Sequence, residues 1–421
     1  MAKHKFSLKS SKKTLLLNTV MLYILTFSNQ FLSLAIVPYE SRILGPSAYG
    51  MLGVATTIMV YFQLVIDFGF LLSGTQDVSL HREDKPYLCR IFSAITCGKL
   101  ILTAFSAVVL ISLCAAIPAW QGKTTFYALF FISTASNSML PDFLYRGLEK
   151  MSAITIRTVC IKAFFTAGIL LFMKKPEDVW MVPAITAVGN LVAVGVSYLD
   201  LRRRLGVWFC PIRWKDVWLH LKRSSVFFYS RVSTTVYSAL NTLILDSISA
   251  TGAPTGYYTA SNNLINAGKN ALSPISDSMY PYMVKHRDFK LVKKVLLIFE
   301  PIIILFCVCV FIWAEPLCVL YFGKEYAPVA QVLRAMLPVG IVILPSYILG
   351  FPTLSAMGMP EQANYSVIFG SVLHVVNLMI LYFSGHMNMI TLGAAVSVAE
   401  TLILLYRIAV IWRHRGMFRK G

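Results

Sequence analysis

The feature that most restricts the fold of this chain is a succession of apolar runs, each more than twenty residues long. About twenty apolar residues in an α-helix cross the ~30 Å hydrocarbon core of a bilayer, at 1.5 Å per residue. Polar segments rich in charge, Gly or Pro separate the runs. The pattern predicts an all-α polytopic membrane protein with about twelve transmembrane helices. The runs cover approximately residues 15–37, 48–74, 91–117, 124–144, 152–173, 179–199, 224–246, 256–283, 295–322, 328–352, 363–384 and 389–412.

The composition excludes a soluble protein. Of the 421 residues, 57% are hydrophobic and 14% are charged, whereas a soluble domain has about 45–50% apolar and ~25% charged residues. The eight cysteines form no C-x-x-C pair and do not cluster with histidine. Neither a metal site nor a disulfide framework is predicted, and no cofactor is expected.

The basic residues predict the orientation in the membrane. The net charge is +19, and with the N terminus inside, the cytoplasmic segments hold 26 of the 38 Lys and Arg residues while the outward loops hold 5. This is the asymmetry of the positive-inside rule. It predicts that both termini are cytoplasmic, with basic tails at residues 1–14 and 413–421. Nucleic acid is not an expected partner, because it would require the basic residues to share one soluble face.

A turn rich in Gly and Pro joins the first two runs and has a weaker copy about two hundred residues later. Residues 38–50 contain Gly45-Pro46 and Tyr49-Gly50, and residues 246–257 again place Gly, Pro, Gly and Tyr close together. We read the first as a hairpin and the pair as an internal repeat. The prediction is two six-helix lobes, an N-lobe at 15–200 and a C-lobe at 224–412.

The longest connection, residues 201–223, carries Arg202-Arg203-Arg204 followed by Trp208, Trp214 and Trp218. Tryptophan prefers the headgroup layer and basic residues attract anionic lipid. This linker is therefore predicted to be amphipathic and to lie along the cytoplasmic surface of the membrane.

Seven basic residues lie inside the predicted spans, where an uncompensated charge costs at least ~2.5–3.5 kcal/mol. Three arginines lie near span ends and could extend to the interface, and each lysine could instead pair with an acid and fix helix packing. We predict that Lys99, Lys162, Arg231 and Lys269 face a water-filled cavity and bind a phosphate or another acidic group of the substrate. The remaining three are Arg157, Arg334 and Arg407.

Polar residues form stripes along several spans. In the eighth span Asn262, Asn266, Lys269, Ser273 and Asp277 recur every three or four residues, which places them on one helix face. Similar stripes on the first, second and seventh spans suggest a shared hydrophilic cavity rather than isolated interhelical bonds. The other cavity residues predicted from this pattern are Asn29 and Gln63, and the candidates for ion coupling are Asp67, Asp277 and Glu400.

The first two spans carry a motif of the form R-x-L-G-x-x-x-Y-G followed by D-x-G. It comprises Arg42, Gly45, Tyr49, Gly50, Asp67 and Gly69, with Pro38 ahead of it. The motif resembles that of the polysaccharide-transport branch of the multidrug/oligosaccharidyl-lipid/polysaccharide exporter superfamily, in particular the Wzx-type O-antigen flippases. Twelve spans in two halves extend the resemblance over the chain.

The resemblance implies a fold like that of MATE transporters and lipid II flippases, in which two lobes open alternately to either side. Lipid II flippases usually have fourteen spans, which this chain lacks. The implied substrate is an undecaprenyl-diphosphate-linked oligosaccharide, moved across the bacterial inner membrane for O-antigen or related polysaccharide synthesis. A polysaccharide polymerase and a chain-length regulator are implied as partners, besides membrane lipids, and a monomer would suffice.

Two alternatives stay open. A cation-coupled drug antiporter of the same fold would need a net acidic cavity, but the predicted spans contain seven basic residues and only about five acidic ones. A membrane-embedded polysaccharide polymerase or ligase would need a large outward loop for its catalytic groups, and every predicted outward loop is short. No enzyme activity is therefore expected.

Overall fold

The computed structural model describes residues 2–249 and 251–416, with side chains at all of these positions except 2–20, 22–23, 29, 119, 226, 230, 233–239 and 281. Every regular element in these ranges is a helix. The α-helices are α1 (Ala2–Asp67), α2 (Phe70–Leu80), α3 (Lys85–Ala116), α4 (Thr124–Ser138), α5 (Asp142–Gly147), α6 (Met151–Phe172), α7 (Met181–Asp200), α8 (Trp214–Ile248), α9 (Ala253–His286), α10 (Phe289–Ile312), α11 (Ala314–Phe322), α12 (Val329–Leu349), α13 (Phe351–Ala356), α14 (Pro360–Phe383) and α15 (Met389–Arg413).

Short polar side chains define several helix starts. Asp84 and Asp288 each accept a hydrogen bond from a backbone N–H in the first turn of α3 and α10. Asn388 and Thr391 form a reciprocal capping box at the start of α15. These caps satisfy donors that the first helical turn leaves unpaired, so each helix begins at a defined residue.

The connection between the first two predicted spans is shorter than the expected turn. α1 is helical on both sides of Gly45, whose φ of 67° and ψ of 170° are non-helical. Glycine adopts this φ without the steric penalty of a Cβ, and Pro46 begins the next helical segment, where a missing N–H costs nothing. The expectation of a non-helical turn across residues 38–50 is therefore wrong, because the break is confined to one residue.

Eight helical segments in the described part of the chain are long and apolar enough to cross a membrane. They include α3, α6, α7, α10, α14 and α15. The multi-pass all-helical architecture predicted from the sequence is confirmed, and the number of twelve spans stays a prediction. α9 falls outside this group because polar residues interrupt its apolar sequence.

The chain divides into two compact units. The first comprises residues 1–36 and 55–232, and the second residues 37–54 and 233–421. The middle of α1 thus groups with the second half of the chain, and the linker 201–223 with the first. The predicted lobe boundaries at 200 and 224 stay a prediction.

The core of the first unit centres on Phe70, Phe92, Phe143 and Leu144, all almost completely buried. Here α2 packs on α5, and α7 packs on α4 and α6. In the second unit α12 is central and packs against α9, α10 and α15. Its residues Val332, Met336 and Val339 are buried, as expected for a helix surrounded by others.

Polar contacts link α2 to the start of α8 in the first unit. Ser73 Oγ lies 2.6 Å from Ser224 Oγ. One turn farther along α2, Asp77 lies 3.4 Å from His220 Nδ1 and 3.4 Å from Arg223 Nη1. Asp77 and His220 are largely buried and shielded from water, whereas the Arg223 side chain is half exposed.

The predicted amphipathic linker is only partly helical. After a π-helical turn at Leu201–Leu205, α8 begins at Trp214 and continues without a break into the seventh predicted span. Arg202 stacks over Trp208 at 5.2 Å from the ring centroid. Trp214 and Trp218 are exposed, as tryptophans at a membrane interface would be.

Candidate functional site

A charged cavity of about 820 Å³ lies within the second unit. The polar stripe of α9 forms one wall, and α12, α13, α14 and α15 form the others. The sequence places polar groups on this wall because residues three and four apart share one helix face. The lining residues are Lys269, Ser273, Ser276, Asp277, Tyr280, Ile343, Ser346, Tyr347, Phe351, Val367, Glu400, Ile403 and Arg407.

Lys269 and Glu400 form an ion pair in this cavity, with Nζ 2.6 Å from Oε1. The Lys269 side chain is 21% exposed and the Glu400 side chain 7% exposed. Two charges removed from water at this depth are tolerated because each offsets the other. The predicted alternative of pairing with an acid thus applies to Lys269, yet the pair also faces open space.

Arg407 supplies a second cation to the cavity. Its side chain is buried and donates to both the carbonyl (2.5 Å) and the hydroxyl (2.9 Å) of Ser346, and to Ser366 Oγ (2.8 Å). Gly350 leaves room for the guanidinium, since a Cβ there would lie 2.8 Å from Arg407 Nη1. The hydroxyl and carbonyl partners hold the guanidinium fork in place.

Sequence reasoning missed Arg407, which it treated as a residue that could extend to the interface. A signal was present, because Glu400 and Arg407 are seven residues apart and so lie on the same face of α15. Arg407 lies only a few residues from the predicted end of its span, so its side chain was expected to extend to the interface rather than into a cavity.

Aromatic side chains complete the cavity wall. Tyr280 and Phe351 meet edge to face with ring centroids 6.3 Å apart, and Tyr347 lies beside them in the lining. Behind α9 and α14, the buried His374 bonds to Asn241 (2.9 Å), whose amide donates to Tyr258 Oη (2.9 Å). These contacts fix the helices that carry the cavity residues.

The other predicted cations lie in the first unit. Lys99 is buried in α3 and donates to the Ser138 carbonyl, with Asp67 and Asp142 as the carboxylates that act on it electrostatically. Lys162 Nζ donates to Ser33 Oγ at 2.9 Å. Arg231 is exposed on α8. The structure does not bring these three into the charged cavity, and their assignment to substrate binding stays a prediction.

The predicted polar residues divide in the same way. Ser273 and Asp277 line the charged cavity. Asn262 and Asn266 lie nearer the N terminus of α9, outside the cavity lining, and Gln63 lies in α1. The side chain of Asn29 lies outside the described residues. The α9 stripe is therefore divided, and its C-terminal part faces the cavity.

The motif residues serve a different purpose from the cavity. Arg42 donates to the Leu320 carbonyl (2.6 Å) and Ser41 to the Phe322 carbonyl (3.1 Å), which satisfies the unpaired end of α11. Tyr49 accepts from Asn263 Nδ2 (3.0 Å) and packs edge to face on Tyr326. These contacts fix the conformation of the chain on both sides of Gly45 within the second unit.

Gly50 of the motif permits close helix contact. A Cβ at Gly50 would collide with the Gly252 carbonyl, and a Cβ at Gly256 would collide with the Pro46 carbonyl. The two Gly-Pro segments noted as copies in the sequence therefore pack directly on one another.

Solved membrane transporters share this architecture. The chain superimposes on an inward-facing multidrug resistance MATE family transporter of the MOP superfamily with a TM-score of 0.72 at 12% identity, covering 96% of this chain and 99% of that one. It superimposes on the lipid II flippase MurJ, in an inward closed conformation, with a TM-score of 0.68 at 15% identity, covering 94% and 87%. At these identities the similarity shows the fold, and the predicted MATE-like fold is confirmed. The chain is therefore a MATE-like helical membrane protein with a charged cavity in its second unit.

The chain belongs to the polysaccharide biosynthesis protein family, whose sequence pattern matches residues 15–287. It is 24% identical to a protein of Escherichia coli (strain K12) named "Putative O-antigen transporter", over 96% of this chain and 98% of that protein. A protein of Shigella dysenteriae with the same name is 23% identical over 94% and 99%. The resemblance predicted from the motif is thus confirmed at the level of the family.

Proposed function

We propose that this protein is a flippase for undecaprenyl-diphosphate-linked oligosaccharides in the synthesis of O-antigen or a related surface polysaccharide. It would move them from the inner to the outer leaflet of the bacterial inner membrane by alternating access, with both termini in the cytoplasm. The relatives named as O-antigen transporters and the fold shared with a lipid II flippase support this proposal. The observation that carries it is the cavity of the second unit, which is lined by the side chains of Lys269 and Arg407.

The chemistry of the substrate fits this cavity. A diphosphate with attached sugars cannot cross ~30 Å of hydrocarbon unless protein groups replace its water shell. Arginine offers a planar fork of donors and lysine a point charge, and both bind phosphate oxygens well. In the absence of substrate Glu400 neutralises Lys269, so an arriving diphosphate would compete with that carboxylate for the ammonium.

The remaining predicted residues take subsidiary roles in the proposal. Lys99, Lys162 and Arg231 would add positive charge along the path. The polar side chains at positions 29, 63, 262, 266 and 273 would bond to sugar hydroxyls along the path. Tyr280 and Tyr347 add hydroxyls and ring surface in the charged cavity. Asp67, Asp277 and Glu400 are the acids that could couple transport to an ion. A polymerase and a chain-length regulator would receive the product, and a monomer would suffice.

The test is deletion of the gene in its host, with assay of surface polysaccharide and of the leaflet that holds the lipid-linked oligosaccharide. We expect loss of surface polymer while complete repeat units accumulate on the cytoplasmic side. Unpolymerised units displayed outside would indicate a polymerase, and normal polymer would rule out the flippase.

Complementation then tests the cavity. Lys269→Gln and Arg407→Gln should each reduce polymer at least tenfold, a loss equivalent to ~1.4 kcal/mol of phosphate interaction. Lys285→Gln removes a lysine from the exposed end of the same helix and is the matched control. Full complementation by the doubly substituted protein would remove the cavity cations from the proposal.

A drug antiporter is the second candidate, because Glu400 and Asp277 line the same cavity and a multidrug transporter shares the fold. It predicts that the deletion strain becomes sensitive to cationic drugs while its surface polymer stays normal. Drug resistance and leaflet assays on one strain therefore separate the two functions.

A further inference from the structure

A second cavity, a groove of about 540 Å³, lies between α6 and α7 in the first unit. One part of the groove is apolar and the other ends among charged and hydroxyl groups. Neither the polar stripes nor the motif accounts for it. It contains none of the residues assigned above to the flippase.

The apolar walls face outward. Ile156 and Phe164 of α6 and Val192 and Val196 of α7 line the groove, and each is at least half exposed. On a membrane helix such side chains meet lipid chains. Gly189 deepens the groove, because a Cβ at this position would already touch Ile161 and Phe164 at 3.4 Å.

The length of the groove matches one leaflet. Its lining runs from Ala153 to Phe164 on α6 and from Gly189 to Asp200 on α7. At 1.5 Å per residue each wall is ~17 Å long. Half of the ~30 Å hydrocarbon core is ~15 Å. The groove therefore accommodates a chain that begins at one membrane surface and stops near the midplane.

The polar end contains a buried arginine with an unmet donor. The Arg157 side chain is 9% exposed and bonds through Nη2 to Asp142 (2.5 Å) and through Nη1 to Ser197 (3.3 Å). Its Nε is buried and has no hydrogen-bond partner among the described residues. Buried donors of this kind are uncommon, and ordered water or a bound ligand beside the guanidinium can satisfy them.

Further donors and positive charge surround this end. Arg204 lines the groove with an 84% exposed side chain, held by one contact of 3.3 Å to Asp200. Tyr145 Oη also bonds to Asp200, at 2.8 Å. Arg202 and Arg203 are exposed next to Arg204 in the chain, so the arginines outnumber the two carboxylates, Asp142 and Asp200. The excess is positive and lies where the positive-inside rule places the cytoplasmic surface.

We propose that this groove is a binding site for an anionic glycerophospholipid of the cytoplasmic leaflet. One acyl chain lies between α6 and α7, and the phosphodiester lies at the polar end, with Arg204 as its main contact and Arg157 beside it. The inference does not depend on the transported substrate. It assigns the groove to a resident lipid.

The geometry favours this occupant over the polyprenyl chain of a carrier lipid. A groove that ends near the midplane fits an acyl chain of one leaflet, and a much longer polyprenyl chain would fill only a fraction of its length here. The excess of arginine favours a lipid with net negative charge over a zwitterionic one.

The test uses the full-length protein purified in mild detergent from membranes that contain phosphatidylglycerol and phosphatidylethanolamine. Retained lipid is extracted and counted per chain by mass spectrometry. Val192→Trp fills the groove, and its matched control is Val188→Trp, an exposed valine of α7 outside the groove. Arg204→Gln removes the headgroup contact, and Arg203→Gln removes the same charge one residue away.

We expect about one phosphatidylglycerol per wild-type chain, with Val188→Trp and Arg203→Gln close to that value. Val192→Trp and Arg204→Gln should retain about fivefold less, the change that corresponds to ~1 kcal/mol for one arginine near an anionic lipid. Equal retention in each variant and its control overturns the proposal. Retention of phosphatidylethanolamine or a polyprenyl phosphate instead of phosphatidylglycerol also overturns it. Surface polymer is not measured here, so failure leaves the proposed flippase function untouched.

Discussion

The ion pair between Lys269 and Glu400 has opposite effects on stability and on the proposed transport. As a pair they neutralise each other in a largely desolvated place, but a phosphate-binding lysine must be released from its carboxylate when substrate arrives. The same contact therefore stabilises the empty cavity and competes with the ligand. Substitution of one partner or of both separates these effects.

We predict that Glu400→Gln lowers stability by about 3–5 kcal/mol, because the Lys269 ammonium loses its carboxylate in a desolvated site. The double variant Lys269→Met/Glu400→Leu should recover most of that loss yet fail to complement. Thermal midpoints in detergent measure the effect. Glu149→Gln is the control, since the Arg82–Glu149 pair is 2.8 Å long but exposed, and it should cost no more than ~1 kcal/mol. If Glu400→Gln is as mild as Glu149→Gln, the pair is not desolvated.

His220 predicts a pH dependence of stability. Burial lowers the pKa of His220, and the Asp77 carboxylate only partly offsets this. Below its ordinary pKa of about 6.5 the unfolded chain takes up the proton first, so stability falls as the pH drops through and below that value. We expect the thermal midpoint to fall between pH 7 and pH 5.5, and to fall less in His220→Asn.

His286→Gln, which alters an exposed histidine at the end of α9, is the control and should keep the wild-type pH profile. An unchanged profile in His220→Asn would assign the acid sensitivity to other groups. Arg223 and Asp216 also act on His220, so the shift is read from the difference between variants.

At the scale of elements, the packing of α1 on α9 depends on glycine. Gly50 and Gly256 meet backbone carbonyls of the opposite helix so closely that neither position can hold a Cβ without separating the helices. The recurrence of Gly, Pro, Gly and Tyr in the sequence identified the two segments as copies. It could not reveal that the copies touch, because the contact joins residues about two hundred positions apart.

We predict that Gly50→Ala and Gly256→Ala each cost ~1–3 kcal/mol, as overpacking does, and reduce the yield of folded protein. Gly268→Ala tests the same substitution in the same helix, where nothing lies within 4 Å of the added Cβ. It should be neutral or stabilise by up to ~1 kcal/mol, because alanine favours the helix. Thermal midpoints of the three variants decide the matter, and equal effects at positions 256 and 268 would contradict the close contact.

The sequence predicts which residues share a helix face better than which faces meet. Ser273 and Asp277 follow Lys269 on α9 at helical spacing, and the structure places all three in one cavity. Glu400 was expected to couple ions, but its partner, 131 residues away, could not be read from a pattern. The motif was recognised by its residues, while its contacts with the end of α11 depend on tertiary packing.

For the whole molecule, composition and run length are sufficient to predict a multi-pass helical protein, and the motif is sufficient to predict its family. Both follow from local physics: hydrocarbon thickness fixes helix length, and the close contacts of the Gly-rich break restrict its residues. The number of spans is harder, because polar helices such as α9 depart from the apolar pattern that defines a span. The side of the membrane on which each connecting segment lies tests the number of spans directly.

Twelve spans with a cytoplasmic N terminus predict the location of one segment for which the positive-inside rule gives no information. Residues 353–362 contain no Lys or Arg, so their cytoplasmic position follows only from the ten predicted spans that precede them. Alkaline phosphatase fused after Gly358 should therefore be inactive and a fluorescent protein there should fluoresce, as at position 212 in the basic linker. Fusions after Lys175 and after His386, in predicted outward loops, should show the reverse and serve as controls.

If the fusion after position 212 reports the cytoplasm while that after Gly358 reports the outside, an odd number of helices crosses between them. The second half would then not repeat the first, and the paired lobes inferred from the two Gly-Pro segments would need a different number of spans.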